Sequence, residues 1–238
     1  MAHVIIALDY PGPAPALELV DRLGPEADFY KVGLELFTSA GAPFIRELRR
    51  RGKRVFLDLK FHDIPATVAG AVRSAARLGA ELLTIHAAGG PAMVAAAVAA
   101  AQEGAGEGEG ESPARILAVT LLTSLSRPEI EGVLGRTPID PAEEVLRLAS
   151  GAVEAGAHGV VASPLEAGSL RTRLGPAPLI VTPGIRLAGG DAHDQLRIAT
   201  PEEAARAGAD YLVIGRAVTR ASDPEEALAG IHQTLEAA

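Results

Sequence analysis

Asp58 and Lys60 stand two residues apart at the close of a short apolar run, Arg54–Lys60. In an extended chain that spacing puts both side chains on one face and Leu57, Leu59 and Phe61 on the other, so a carboxylate and an ammonium project together. Two readings follow. The pair either satisfies itself and shields one end of a fold, or it is a site where an acid holds a proton-carrying amine in place. Composition bears on the choice, because Lys31, Lys53 and Lys60 are the only lysines in the chain. Every other strong cation is arginine, which does not readily give up a proton, whereas lysine does. Proton transfer at a lysine is the chemistry this pattern suggests, with compositional drift the bland alternative for any one of the three. Asp63 adds an acid three residues on. Followed by Ile64-Pro65, it also suits an N-cap with proline in the first helical turn.

Side chains of this kind need rigid elements to bring them together. Runs of strand length alternate with longer stretches of helical period, a pattern of βαβ units around a parallel sheet. The expected strands are Val4–Asp9, Phe29–Gly33, Arg54–Lys60, Leu82–His86, Arg115–Leu121, Gly159–Ser163, Leu179–Thr182 and Tyr211–Gly215. Expected helices include Pro43–Arg50, Ala66–Leu78, Ala142–Ala155, Pro201–Ala207 and Pro224–Leu235. Eight strands and 238 residues predict one α/β domain, a (β/α)8 TIM barrel over residues 1–238. Gly52, Gly79, Gly156 and Gly208 follow helices as left-handed caps, and the Gly-Ala pairs at 79, 156 and 208 look like one connector reused. In such a barrel the chemistry sits at the C-terminal ends of the strands, where Asp9, Asp58, Lys60, His86 and Gly215-Arg216 fall, with Lys31 inside the second strand. Residues 103–112 read as a flexible acidic Gly/Glu surface loop without assigned function. The Gly-rich segment 183–198 is too long for a tight turn and is expected to be a lid or phosphate-binding loop.

A net charge of −8 argues against a nucleic-acid partner, which needs a basic face. A small anionic ligand in a locally cationic cleft remains compatible with that charge. The absence of cysteine excludes disulfides, zinc–thiolate centres and thiol nucleophiles. The start of the chain meets Asp9 too soon for a signal peptide, and the Ala-rich run 92–101 is about half a membrane span. The expectation is a cytoplasmic protein without a membrane partner.

Asp58-Leu59-Lys60-Phe61-His62-Asp63-Ile64-Pro65 resembles the D-x-K-x-x-D-I-P signature of the orotidine 5′-phosphate decarboxylase family. Further runs agree in order and spacing over essentially the whole chain: Ala7-Leu8-Asp9, Tyr30–Gly33, Leu121–Ser124, Thr182–Arg186 and Val213–Arg216. The D-x-K-x-x-D pattern is shared with phosphosugar decarboxylases and synthases of the same fold. In those relatives an acidic residue and a magnesium ion are expected where this chain has Lys31.

The resemblance implies decarboxylation of orotidine 5′-phosphate to UMP in pyrimidine biosynthesis, with no metal and no cofactor. It implies a catalytic array of Lys31, Asp58, Lys60 and Asp63, the last supplied by the other subunit of a homodimer. Lys60, kept charged by its acidic neighbours, is the expected proton donor to C6. Asp9 and Lys31 would hold the ribose, and Thr123 the pyrimidine edge. Arg186, Gln195, Arg216 and the backbone of Gly215 would clamp the phosphate. Thr67 joins the substrate-binding set, and His62 and Thr67 flank the motif at the site or the subunit contact. His86 reads as a packing residue and Ser124 as a turn residue or base contact.

Overall fold

The computed structural model describes residues 2–105, 112–186 and 199–237. Eight parallel strands close into a barrel in sequence order, each bonded to the next and the eighth to the first. From the amino end, β1 (His3–Leu8), α1 (Pro13–Leu23), β2 (Phe29–Gly33), α2 (Leu34–Arg50), β3 (Arg54–Phe61) and α3 (Pro65–Ala76) form the first three units. β4 (Leu82–His86), α4 (Gly90–Ala105), β5 (Arg115–Val119), α5 (Arg127–Leu134), α6 (Pro141–Glu154), β6 (Gly159–Val161) and α7 (Ala167–Leu174) continue the pattern. β7 (Leu179–Thr182), α8 (Pro201–Arg206), β8 (Tyr211–Ile214), α9 (Arg216–Thr219) and α10 (Pro224–Glu236) complete it. The expected α/β TIM barrel is the observed fold.

Local chemistry explains many of the boundaries. Proline opens α1, α3, α6, α8 and α10, where its missing N–H costs nothing and its fixed φ suits the first turn. Asp140, Thr200 and Asp223 cap α6, α8 and α10 by accepting first-turn amides. The reused connector is real: Gly156 and Gly208 have φ of 99° and 98°. In each, the following alanine N–H reaches back to the helix, Ala157 to Ala152 O at 3.0 Å and Ala209 to Ala204 O at 3.1 Å.

Two expectations need correction. The helix placed at Pro43–Arg50 is the second half of α2, which starts at Leu34 and is broken at Gly41, where φ is +61° and Pro43 restarts it. β5 and β6 each stop two residues short, at Val119 and Val161, because the residues after them turn aside to wall the central cleft. The helices α1, α4, α5, α7 and α9 are not among the expected ones.

Alternation sorts each strand. Ile5, Ala7, Phe29, Phe56, Leu82, Leu117, Val181, Tyr211 and Val213 point inward and fill the barrel. Their neighbours Ile6, Leu8, Tyr30, Val32, Val55, Leu57, Leu83 and Ile85 point outward into the main core beneath the helices. Burying a side chain such as Phe56 or Ile5 contributes about 1.5–3 kcal/mol each. The inner plug therefore anchors the strands whose next inward positions carry polar groups.

Of the acidic stretch 103–112, residues 106–111 lie outside the described residues, as do 187–198 of the expected lid, Gln195 included. The Ala-rich run 92–101 lies in α4, and no helix among the described residues is long and apolar enough to cross a membrane.

Candidate active site

Above the apolar plug, at the carboxyl ends of the strands, opens a cleft of about 250 Å³. Its floor is Ala7, Phe56, Val119, Val161 and Val213. The next inward position on three successive strands is charged: Asp9 after β1, Lys31 on β2, and Asp58 with Lys60 on β3. Register sets Lys31 one inward step lower, beside Ala7 and Phe56, with Asp9 and Asp58 two residues further along their own strands.

The charges alternate in space. Asp9 Oδ1 lies 2.9 Å from Lys31 Nζ, Lys31 Nζ 3.7 Å from Asp58 Oδ2, and Lys60 Nζ 2.8 Å from both Asp58 oxygens. Lys31 and Asp58 are 9% and 8% exposed, so their charges are held away from bulk water. Burial by itself raises the Asp58 carboxyl. The Lys31 and Lys60 ammoniums, with hydrogen bonds from Lys60 and Thr84, outweigh it and keep the group below the ordinary carboxylate range. Asp58 is thus an anion at neutral pH, and a doubly engaged partner for Lys60.

Lys60 does not follow ordinary strand geometry. Its φ is +50°, the one positive value at a non-glycine among the described residues. A left-handed conformation at a residue with a Cβ costs about 1–2 kcal/mol. The pairing of β3 with β4 breaks at the same place, shifting between Leu57 and Phe61. The expected alternation still holds in outcome, with Asp58 and Lys60 facing the cleft and Leu57, Leu59 and Phe61 against the outer core. It is reached through a bulge.

Thr123, Arg186, Gly215 and Arg216 also line the cleft, with Pro183 and Gly184 beside them. Arg186 is buried, its guanidinium donating to Ile185 O at 2.8 Å. Gly215 precedes the short α9, and Arg216 opens that helix. Ser124 is exposed and stands outside the cleft lining.

Asp63, on the β3–α3 connection, and Thr67, in the first turn of α3, are exposed and do not line the cleft of their own chain. Asp63 accepts the N–H of Ile64 at 2.6 Å, but the N-cap position of α3 is Ile64 and no side chain caps that helix. His86 stacks on His62 with ring centroids 5.3 Å apart. Burial, then the neighbouring His62 and Lys60, hold His86 below the ordinary imidazole range, against the pull of Asp58.

Two residues of the site escaped the sequence reading. Thr84, 1% exposed, donates its hydroxyl to Asp58 Oδ1 and accepts the Lys60 N–H, both at 2.9 Å. Its inward parity with Leu82 and His86 in β4 was the available signal. Gly33, paired with Asp58 at the end of β2, packs against the array, where an added Cβ would lie 3.1 Å from Lys31 Nζ. Among the described residues no three His, Asp or Glu side chains gather as a metal-ligand set.

The sequence profile of the orotidine 5′-phosphate decarboxylase / HUMPS family matches residues 2–231. The orotidine 5′-phosphate decarboxylase of Moorella thermoacetica is 52% identical over 233 residues, 98% of this chain and 92% of that protein. The enzyme of the same name from Vibrio parahaemolyticus is 45% identical over 232 residues, 98% and 97% of the two chains. Among solved structures, orotidine 5′-phosphate decarboxylase from Lactobacillus acidophilus superposes with a TM-score of 0.87 at 39% identity, covering 99% of each chain.

Proposed function

The chain belongs to the orotidine 5′-phosphate decarboxylase / HUMPS family, and from that membership we propose that it converts orotidine 5′-phosphate to UMP and CO2 in pyrimidine biosynthesis, as a cytoplasmic homodimer needing neither metal nor cofactor. The observation that carries the reading is the alternating row of Asp9, Lys31, Asp58 and Lys60 above the apolar cleft floor, with Lys60 Nζ held 2.8 Å from Asp58.

In the reaction the bond between pyrimidine C6 and the carboxylate breaks and leaves its electron pair on C6. The Lys60 ammonium faces that developing charge. Two unit charges about 4 Å apart interact by roughly 4 kcal/mol at an effective dielectric near 20, a substantial part of the stabilisation required. Lys60 then gives its proton to C6 and is left as an amine, which solvent reprotonates. Asp58 fixes the amine; it also stands where the departing carboxylate would be repelled, the lesser of its two roles.

Asp9 and Lys31 hold the ribose hydroxyls, and Thr123 meets the pyrimidine edge. Arg186, Arg216, Gln195 and the Gly215 N–H bind the phosphate, remote from the reacting carbon, so that its binding energy orients the ring and draws the 183–198 segment over it. Asp63 and Thr67 serve the partner's cleft. Their exposure supports this, as do Ile64 and Leu34, which are 66% and 59% exposed at the starts of α3 and α2. Large apolar side chains left bare at a barrel mouth suit a subunit contact.

The deciding experiment is a decarboxylation assay in EDTA, following the loss of pyrimidine absorbance. Turnover that survives chelation is the expected result. Turnover only after a divalent metal is added back would favour the metal-dependent phosphosugar relatives instead, and binding of UMP without turnover would mark a nucleotide sensor.

A further inference from the structure

We infer that Thr84 is a positioning residue of the decarboxylation, holding the strained Lys60 backbone and the Asp58 carboxylate in one fixed arrangement through a single hydroxyl. The inference rests on the decarboxylase reading above and extends it to a residue of β4.

At the end of β3 the ladder fails. Leu57 pairs with Leu83 and Phe61 with Ile85, so four residues of advance on β3 are matched by two on β4. The surplus includes Asp58 and Lys60, and a bulge of this kind leaves backbone groups without strand partners. An N–H left without a partner away from water destabilises the fold. Thr84 stands on β4 between Leu83 and Ile85, at the gap, and its hydroxyl takes the Lys60 N–H at 2.9 Å in place of a ladder carbonyl.

The same hydroxyl has one proton to give, and gives it to Asp58 Oδ1 at 2.9 Å. One side chain thereby ties the φ of +50° at Lys60 to the acid that grips the Lys60 ammonium. Serine could supply the same two bonds. Valine has the same shape and supplies neither.

This links strand irregularity to chemistry. The bulge re-aims Lys60 over the cleft, and the hydroxyl keeps it from relaxing towards ordinary extended backbone. Thr84 touches no atom of the pyrimidine in this scheme. Its loss should therefore slow the chemical step more than it weakens nucleotide binding.

The experiment compares full-length wild type, Thr84→Val and Thr84→Ser for turnover of orotidine 5′-phosphate, calorimetric affinity for UMP, and cooperative thermal melting. The Thr84→Val variant should lose roughly tenfold to a hundredfold in kcat, the scale set by a misplacement of about 1 Å, with little change in UMP affinity. The Thr84→Ser variant should recover most of the loss. An unchanged kcat in Thr84→Val overturns the inference. So does a fall in kcat matched by lost UMP affinity, because the hydroxyl would then shape the pocket generally. Should Thr84→Val not melt cooperatively, Thr84→Ala is scored by the same criteria, and failure of both to fold makes the hydroxyl a fold-holding group and overturns the inference too. A wild-type protein that leaves orotidine 5′-phosphate unchanged would instead sink the parent reading.

Discussion

Lysine is present three times, and the structure divides the three by what surrounds them. Lys53 donates to Ala27 O at 2.8 Å and lies 5.9 Å from the centroid of the Tyr30 ring, a fastening for a loop. Lys31 sits between two acids, a tether. Lys60 alone holds a chelating carboxylate on one side and an open cleft on the other. Removing its amine in Lys60→Ala should lower kcat by at least about 10²–10⁴-fold, the range for a positioned general acid. UMP binding, measured by calorimetry, should persist. The Lys60→Arg variant should not restore turnover, since a guanidinium does not readily give up its protons. Full activity in either variant would mean that another group delivers the proton.

At the scale of elements, the barrel's two ends are built for different ends. The carboxyl ends of the strands carry the charged row that faces the open cleft; the amino ends carry a cluster of ion pairs that faces no cleft. Glu81, just ahead of β4, accepts from Arg54 of β3 at 2.7 and 2.8 Å and from Arg115 of β5 at 2.9 Å. Arg54 also lies 4.1 Å over the Phe29 ring of β2. Four strand starts are clipped together far from the cleft. Hydrogen bonding from Arg54, ahead of the opposing effect of burial, holds the Glu81 carboxyl below its usual range. A depressed folded pKa stabilises the fold above the unfolded value near 4.5, and that contribution disappears as pH falls through the lower folded value. The Glu81→Gln variant should lose about 1–2 kcal/mol at pH 7, discounted for partial exposure, with kcat unchanged. Thermal melts at pH 7 and pH 3 should show the gap between variant and wild type closing in acid. A constant gap would mean that packing rather than charge holds this end.

At the scale of the molecule, the chain presents a cleft and leaves Asp63 exposed outside its lining. Asp63 forms no ion pair with Lys60 within the chain among the described residues, although both belong to one eight-residue motif. If the rim serves a partner, Asp63→Ala and Lys60→Ala proteins should each be inactive alone. Mixed with subunit exchange, they should regain about a quarter of wild-type activity per site, because random pairing makes half the dimers hybrid and each hybrid carries one site free of both substitutions. Continued inactivity after exchange, verified with differently tagged subunits, would mean that the sites are not shared.

How much of this was legible beforehand follows from the range over which each cause acts. Strand alternation, proline-opened helices and Gly-Ala connectors are local, and they alone give eight βα units with Asp9, Lys31, Asp58 and Lys60 at inward positions near the rim. Pairing of β1 with β2 and of β2 with β3 brings together Asp9, Lys31 and Asp58, which are separated by tens of residues in sequence. The bulge at Lys60, the hydroxyl of Thr84 that bridges it, and the exposure of Asp63 depend on how β3 meets β4 and on what the rim leaves uncovered. Those are properties of pairs of distant segments, so periodicity along a single segment carried the residue types of the site but not the contacts that set its charge and its strain.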